Sequence, residues 1–325
     1  MSNYSIRGNG MEEELAVRAL WLAYIGKYTQ DKIAEFLNIS RQKVQRLIAD
    51  GIARDFVSVQ ICHEISSLIE MEEKMKLKFG ITYCQVCPRM PGKACAETYM
   101  ASLGLAGSTY LFNLLSGPKK KTIGMGMGRT LSHLAKHFQK RAEMNLDSHK
   151  FVPLIGSFTK KSAMNPMNLM YLLGEKTNAE TFFIPAPFFV DSVKEKEILE
   201  KQSSVKNVLN LALKADHYFI GIGEIGPTAS ILKYGLISNN LQKQLRSKGA
   251  VAEIVGKFIN KKGELVDHPI NQLSITIPID TLRDKSVVAV CSGLEKLKAI
   301  QIVLKSKLIS GLITDEETAG HLLQA

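Results

Sequence analysis

Two segments of this chain combine residue types at spacings that could do chemistry. The first is Thr122-Ile123-Gly124-Met125-Gly126-Met127-Gly128-Arg129-Thr130-Leu131, which joins an apolar strand pattern to a helical one. Glycines allow positive φ and close backbone approach, so N–H groups at the helix start can converge on an anion. Arg129 and Thr130 add a charge and a hydroxyl at the same place. The second is Arg41-Gln42-Lys43-Val44-Gln45-Arg46-Leu47-Ile48. Val44, Leu47 and Ile48 form its apolar face, which leaves Arg41, Gln42, Lys43, Gln45 and Arg46 outside with no acid among them. Arginine and lysine neutralise phosphates or pair with guanine edges, and glutamine bonds adenine in bidentate fashion.

The glycine spacing G-x-G-x-G is not the G-x-G-x-x-G of a dinucleotide loop, and no acid ends the next strand pattern, Phe151–Ile155, to hold a ribose. No Gly-Lys-Ser/Thr follows, so a P-loop is excluded too. A phosphate or carboxylate on a small molecule remains. A second apolar strand pattern also ends in glycines, Phe219-Ile220-Gly221-Ile222-Gly223. Ligands of open parallel sheets sit beyond the carboxyl ends of strands, so both glycine-rich joints could face one crevice.

The elements that must position these residues follow from the patterning. The first ten residues are polar and read as a loose arm. Over Glu13–Gly26, Leu15, Ala16, Ala19, Leu20, Ala23 and Tyr24 make an apolar stripe at helical steps. Thr29 is placed to cap a helix beginning at Gln30, with Asp31 in its first turn. Asn38-Ile39 is a tight joint, and Ser40 caps the next helix. A helix, a tight turn and a second helix with this outer face have the helix-turn-helix layout, whose second helix enters the DNA major groove. Ala53–Ile61 then alternates like the strand of a small wing.

From about Ile81 the character changes. Strands are expected at Ile81–Val86, Thr122–Met125, Phe151–Ile155, Thr181–Ile184, His217–Ile222, Ser274–Ile277, Val287–Cys291 and Leu308–Ile313. Helices are expected at Gly128–Lys140, Met167–Lys176, Val205–Lys214 and Leu294–Lys305, with an amphipathic connecting helix over Glu64–Phe79. This alternation, with continuous apolar strands, predicts a doubly wound α/β fold: a mostly parallel, Rossmann-like sheet covered on both faces. The length, 325 residues, suits one large domain and one small one. The expected division is 1–61 for DNA binding and 62–325 for effector binding and oligomerisation.

At 45% hydrophobic and 22% charged residues, the chain has ample material for a core, which excludes collagen-like, mucin-like and predominantly disordered classes. The formal net charge of +11 suits nucleic acid or anionic metabolites without choosing between them. Residues 1–61 hold eight basic and seven acidic side chains, so the excess lies mostly in the larger domain. No apolar run approaches the roughly 18 residues of a membrane span. The N-terminus has no signal core, and five scattered cysteines fit reduced thiols, so a cytoplasmic protein without membrane partners is expected. Cys84, Cys87 and Cys95 read as ordinary thiols, because a structural zinc wants four ligands. Asp216-His217 could be half of an acid–base pair, but no motif places a nucleophile, so His217 reads as a satisfied structural histidine, and Met164, Met167 and Met170 read as core or pocket lining. No metal and no cofactor are expected.

Thr29-Gln30…Ile33-Ala34…Leu37…Ser40-Arg41…Val44…Arg46-Leu47 resembles the helix-turn-helix of the SorC family of sugar-responsive bacterial transcription regulators. The resemblance runs from about Glu12 to Leu323. Its further markers are Gly124-x-Gly126-x-Gly128-Arg129-Thr130, Pro185-Ala186-Pro187…Asp191-Ser192, Ile220–Gly223, Gly249–Ile254 and Leu312-Ile313-Thr314-Asp315-Glu316-x-Thr318-Ala319. It implies a winged-helix-like head joined to an effector domain of the phosphosugar isomerase/deaminase type, assembled as a dimer or tetramer. The DNA-binding residues would be Thr29, Gln30, Ser40, Arg41, Gln42, Lys43, Gln45 and Arg46. The effector residues would be Gly124, Gly126, Gly128, Arg129 and Thr130 around a phosphate, with Asp191, Gly221, Gly223, Glu253 and Lys296 facing the rest of the ligand.

Three departures stand out: Asn165-Pro166-Met167-Asn168 for a more Asn-rich segment, Glu253 for the more usual Asp, and Cys291-Ser292-Gly293 at a joint that is usually smaller. They imply a ligand unlike the commonest phosphosugars, or a weakened site. The expected function is regulation of operator affinity by a phosphorylated sugar or related metabolite, on double-stranded DNA read by symmetric pairs of heads. The rival is a sugar-phosphate isomerase or deaminase with an accessory DNA-binding head, which would need a positioned base that no motif supplies.

Overall fold

The structure, a computed structural model, describes residues 6–54, 56–57, 66–89, 96–139, 146–158 and 165–325. The chain forms two compact units, residues 1–63 and 64–325.

In the smaller unit, α1 (Ile6–Tyr24), α2 (Gln30–Leu37) and α3 (Arg41–Ala53) enclose Ala16, Ala19, Ile33, Val44 and Leu47. Helix α1 starts at Ile6, so the expected arm is shorter than its polar composition suggested. Thr29 caps α2 by accepting from the Lys32 N–H at 3.5 Å, and Ser40 caps α3 by accepting from the Lys43 N–H at 3.2 Å. Asn38 ends α2 in the left-handed conformation, φ 52°, with its N–H returned to the Ala34 and Glu35 carbonyls. A Cβ on Gly51 would come within 2.5 Å of Leu20 Cδ1, so a glycine there lets α3 approach α1 closely. The wing expected over Ala53–Ile61 lies mostly outside the described residues, and its start is helical because α3 continues to Ala53.

The larger unit runs α4 (Ser66–Phe79), β1 (Tyr83–Cys87), α5 (Ala96–Leu115), β2 (Thr122–Met125), α6 (Arg129–His137), β3 (Lys150–Pro153) and α7 (Pro166–Thr177). There follow β4 (Glu180–Thr181), α8 (Val193–Lys201), α9 (Ser203–Leu213), β5 (His217–Ile220), β6 (Gly223–Glu224), α10 (Ser230–Lys233) and α11 (Asn239–Ser247). The chain closes with β7 (Ala252–Ile254), β8 (Lys257–Ile259), α12 (Ile270–Leu273), β9 (Ser286–Val290), α13 (Leu297–Lys305), β10 (Gly311–Asp315) and α14 (Glu316–Gln324).

Seven strands form one sheet in the order β1-β10-β9-β5-β2-β3-β4, with every pairing parallel. Successive side chains feed opposite faces. In β9, Val287 and Ala289 join a core with Met75 of α4 and Ile300 of α13, while Val288 and Val290 join Leu103, Leu134 and Leu173 of α5, α6 and α7. Cys84 and Cys87 fall on these two faces in the same way, both buried, and burial pushes their thiols up to about 12 and about 11. Cys95 and Met164 lie outside the described residues.

Three expectations need correction. Ser274–Ile277 is no sheet strand: its backbone bonds are taken by the Phe188, Leu154 and Gly156 loops, leaving isolated bridges at Ser274 and Thr276. Strands β6, β7 and β8 make an unexpected antiparallel sheet of three. Met170 is buried as expected, but Met167, in the first turn of α7, is 53% exposed.

Candidate functional site

The carboxyl ends of four adjacent strands, β2, β5, β9 and β10, open into one cavity of about 580 Å³. Each strand delivers short loop residues there: Gly126, Met127 and Gly128 after β2, Gly221 and Ile222 after β5, Ser292 and Gly293 after β9, and Asp315 at the end of β10. The small β6–β7–β8 sheet closes another side with Gly223, Glu224 and Glu253. A parallel sheet aligns the ends of its strands, which is why residues so far apart in sequence meet here.

Gly128 precedes α6 with φ 133°, a conformation L side chains rarely adopt, and no side chain caps this helix. Its first-turn N–H groups therefore remain for an external acceptor, at the end of the helix that favours negative charge. Arg129 and Thr130 line the cavity at the same point, and the Arg129 guanidinium carbon lies 5.9 Å from the centre of the Tyr234 ring. Gly293 also has positive φ, 117°, and a Cβ there would meet Glu295 Oε1 at 2.5 Å. Its N–H donates to Thr318 Oγ1 at 3.0 Å, and the Thr318 N–H in turn donates to Asp315 Oδ1 at 2.6 Å, so Asp315 caps α14 while facing the cavity.

Carboxylates are more numerous here than sequence motifs suggested. Glu224 accepts from the Gly226 N–H and, at 3.2 Å, from the Thr228 hydroxyl. Glu253 is buried, and its Oε1 accepts from the Gly256 N–H at 2.6 Å. Burial raises the Glu253 carboxyl to about 7, against the lowering effects of that N–H and of the Lys296 ammonium. A Cβ on Gly223 would come within 2.7 Å of Glu253 Oε2, so glycine at 223 leaves space for this carboxyl. Glu295 and Glu317 line the cavity as well.

Of the expected effector residues, the cavity brings together Gly126, Gly128, Arg129, Thr130, Gly221, Gly223, Glu253 and Lys296. Gly124 and Asp191 are not among its lining residues. Gly124 sits within β2, where a Cβ would meet Tyr218 Cδ1 at 2.4 Å and Leu154 Cδ2 at 2.6 Å; it serves packing. Asp191 is exposed two residues before α8, with its N–H donated to Glu195 Oε2. Asn165 caps α7 and donates its amide to the Phe158 carbonyl at 2.7 Å, away from the cavity lining. Glu224, Asp315, Glu295 and Glu317 were missed; the legible signal was the position of Asp315 at the end of an apolar strand, three residues before Thr318.

His217 is not the satisfied histidine expected. Its Nδ1 is buried without a hydrogen-bond partner, burial lowers its pKa, and Asp216 instead accepts the Thr122 N–H at 2.7 Å. Both stand at the amino end of β5, beside the first residue of β2 and at the opposite end of the strands from the cavity.

In the smaller unit, Arg41, Gln42, Gln45 and Arg46 are exposed on α3, and Lys43 is half-buried beside the cap. Gln30 is half-buried at the start of α2, and Thr29 and Ser40 use their hydroxyls as caps. Tertiary structure adds acids to this face: Arg41 Nη1 lies 3.3 Å from Asp31, and Arg46 Nη2 lies 3.0 Å from Glu12. Among the described residues no helix is long and apolar enough to cross a membrane.

Comparison with known proteins places both units in one group. Residues 63–324 match the family described as "Putative sugar-binding domain". The erythritol catabolism regulatory protein EryD of Brucella abortus is 31% identical over 312 residues, covering 96% of this chain and 97% of that protein. The transcriptional regulator LsrR of Enterobacter sp. is 31% identical over 317 residues, 96% of this chain and 93% of its own. Among solved structures, the full-length sorbitol operon regulator SorC of Klebsiella pneumoniae shares the fold at a TM-score of 0.72 and 23% identity, over 96% of this chain and 99% of that one. A DeoR family transcriptional regulator from Listeria monocytogenes gives 0.71 at 22% identity, over 79% and 99%. The motifs, the seven-stranded sheet and these matches along nearly the whole length agree: the chain belongs to the SorC family of sugar-binding transcription regulators.

Proposed function

We propose that this protein binds operator DNA through α3 and that a phosphorylated sugar, or a related small phosphorylated metabolite, entering the cavity changes that affinity. The observation that carries the reading is the uncapped start of α6, with Gly128, Arg129 and Thr130 in one cavity with buried Glu253 and Asp315. A phosphate suits the first end, where N–H groups, a guanidinium and a hydroxyl converge. Hydroxyl groups suit the second, since each carboxylate accepts hydrogen bonds from several donors. Five acids (Glu224, Glu253, Glu295, Asp315 and Glu317) face two cations, Arg129 and Lys296. That balance disfavours ligands with several phosphates and favours one phosphate on a polyol or sugar. The likeness to a regulator named for erythritol catabolism makes phosphates of short polyols the first compounds to try.

Reading heads bind in symmetric pairs, so the active species is a homo-oligomer, a dimer or tetramer, on an inverted-repeat site. The test is a thermal-shift series with sugar and polyol phosphates, their unphosphorylated parents and inorganic phosphate. Stabilisation by a phosphorylated compound well beyond its parent and beyond phosphate alone supports the reading. Equal response to parent and phosphate ester refutes the anion end of the site.

One observation favours the rival reading. A carboxyl near 7, as at Glu253, is what general acid–base chemistry uses at neutral pH. Recovery of the ligand unchanged after long incubation supports the sensor, and conversion to an isomer supports the enzyme.

A further inference from the structure

Over Arg41–Ile48, the outer face of α3 has no acid in sequence, and Asp50, one turn further on, pairs with Arg54 at 3.6 Å; the folded unit brings two more acids to the arginines of the first turns. Asp31 comes from the first turn of α2 and Glu12 from α1, and each meets an arginine expected to contact DNA. Arg41 Nη1 lies 3.3 Å from both carboxylate oxygens of Asp31, and Arg46 Nη2 lies 3.0 Å from Glu12 Oε1. All four side chains are more than half exposed. Pairs this open contribute little to stability, and the unit is held by Ala16, Ala19, Ile33, Val44 and Leu47 beneath them. Their effect is therefore on charge at the surface that meets the duplex.

Resting on the reading of α3 as the DNA-facing helix, we propose that Glu12 and Asp31 are specificity-determining residues: internal counter-charges that occupy Arg46 and Arg41 until operator DNA displaces them. Non-specific affinity comes almost wholly from neutralising phosphates. An arginine already paired with a carboxylate offers less to a passing phosphate, and breaking the pair leaves the carboxylate close to the DNA backbone. Arbitrary sequence supplies only phosphates to offset this. An operator supplies base-edge contacts as well, so the penalty weighs proportionally more on the wrong DNA. The near balance of charge in residues 1–61, eight basic against seven acidic, agrees with a head that does not rely on bulk attraction.

The test uses the full chain, a fragment it selects from sheared genomic DNA, and a scrambled duplex of equal length and composition. Glu12→Gln and Asp31→Asn keep shape and hydrogen-bonding oxygen while removing the charge. Each should tighten scrambled-DNA binding by roughly three- to tenfold, the effect of one unit charge at hydrogen-bond distance in a wet environment. The salt slope on scrambled DNA should steepen, and the operator-to-scrambled affinity ratio should fall. Unchanged affinity, or weaker binding to both duplexes, overturns the proposal, the latter because it would mean that the acids merely position the arginines. Arg41→Ala and Arg46→Ala run in parallel separate the two readings. If these weaken binding while the acid variants change nothing, only the counter-charge proposal fails. If the arginine variants also bind normally, the assignment of α3 fails with it.

Discussion

Glu253 Oε1 and the Gly256 N–H are joined at 2.6 Å across the turn between β7 and β8, which fastens a buried carboxyl at the wall of the cavity. This turn needs unusual backbone: Val255 and Gly256 both have positive φ, 44° and 78°. The carboxyl is thus held where desolvation opposes its charge, with one N–H and the Lys296 ammonium offsetting part of the cost.

The stability of the protein should follow from that burial. Glu253 has a folded-state pKa raised from 4.5 to about 7, so its contribution is most favourable below 4.5 and is lost as pH rises through about 7. Glu253→Gln keeps an acceptor for Gly256 and removes the charge. Thermal melts from pH 5 to pH 8 should show a flatter profile for the variant, with a higher Tm than wild type at pH 8. The difference is bounded at about 3 kcal/mol by the size of the shift. A wild-type melting profile that already lacks this decline would contradict the burial argument.

Arg129→Ala removes the one guanidinium at the start of α6 from the cavity. Losing a hydrogen bond to a charged group costs about 1.5–3 kcal/mol, so ligand affinity should drop roughly 10- to 150-fold. DNA affinity without ligand should stay at the wild-type level, as measured by fluorescence anisotropy.

Gly124→Ala should act on folding and not on the ligand. Its Cβ would meet Tyr218 and Leu154 side chains at 2.4 and 2.6 Å inside a packed sheet, and overpacking of this kind costs about 1–3 kcal/mol. Chemical denaturation should show the loss, while the folded variant titrates with wild-type ligand affinity. A large change in affinity with unchanged stability would return Gly124 to the binding site.

Arg46→Ala should weaken binding across all DNA sequences and lower the slope of log affinity against log salt by about 1 if the side chain meets a phosphate. If it reads a base instead, the loss should fall on the operator alone, by about 1–3 kcal/mol. Titrations of operator and scrambled duplex at several salt concentrations tell these apart.

The central strands were legible because a sheet buried on both faces needs continuous apolar runs, and Thr122–Met125 fell where its pattern placed it. Ser274–Ile277 alternates hydroxyl residues with isoleucines as a strand can, but its neighbours are loops, a tertiary fact that no local pattern carries. Strands β6, β7 and β8 have two or three residues each, too short for any period to show, and with them Glu224 went unnoticed. The glycine-rich loop was legible through its anion chemistry, yet Gly124 and Gly126 look alike in sequence and differ only in what surrounds them. In the smaller unit, the caps Thr29 of α2 and Ser40 of α3 were readable from residue type, whereas the pairing of Arg46 with Glu12 spans 34 positions and depends on how α1 lies over α3.

The most direct test of the account is operator affinity of the purified protein measured with and without the phosphorylated compound that stabilises it most. Linked binding predicts a shift of about 5- to 150-fold, confined to the specific duplex and absent with the unphosphorylated parent. Equal affinity for operator and scrambled DNA, unmoved by every compound that binds the cavity, would contradict it.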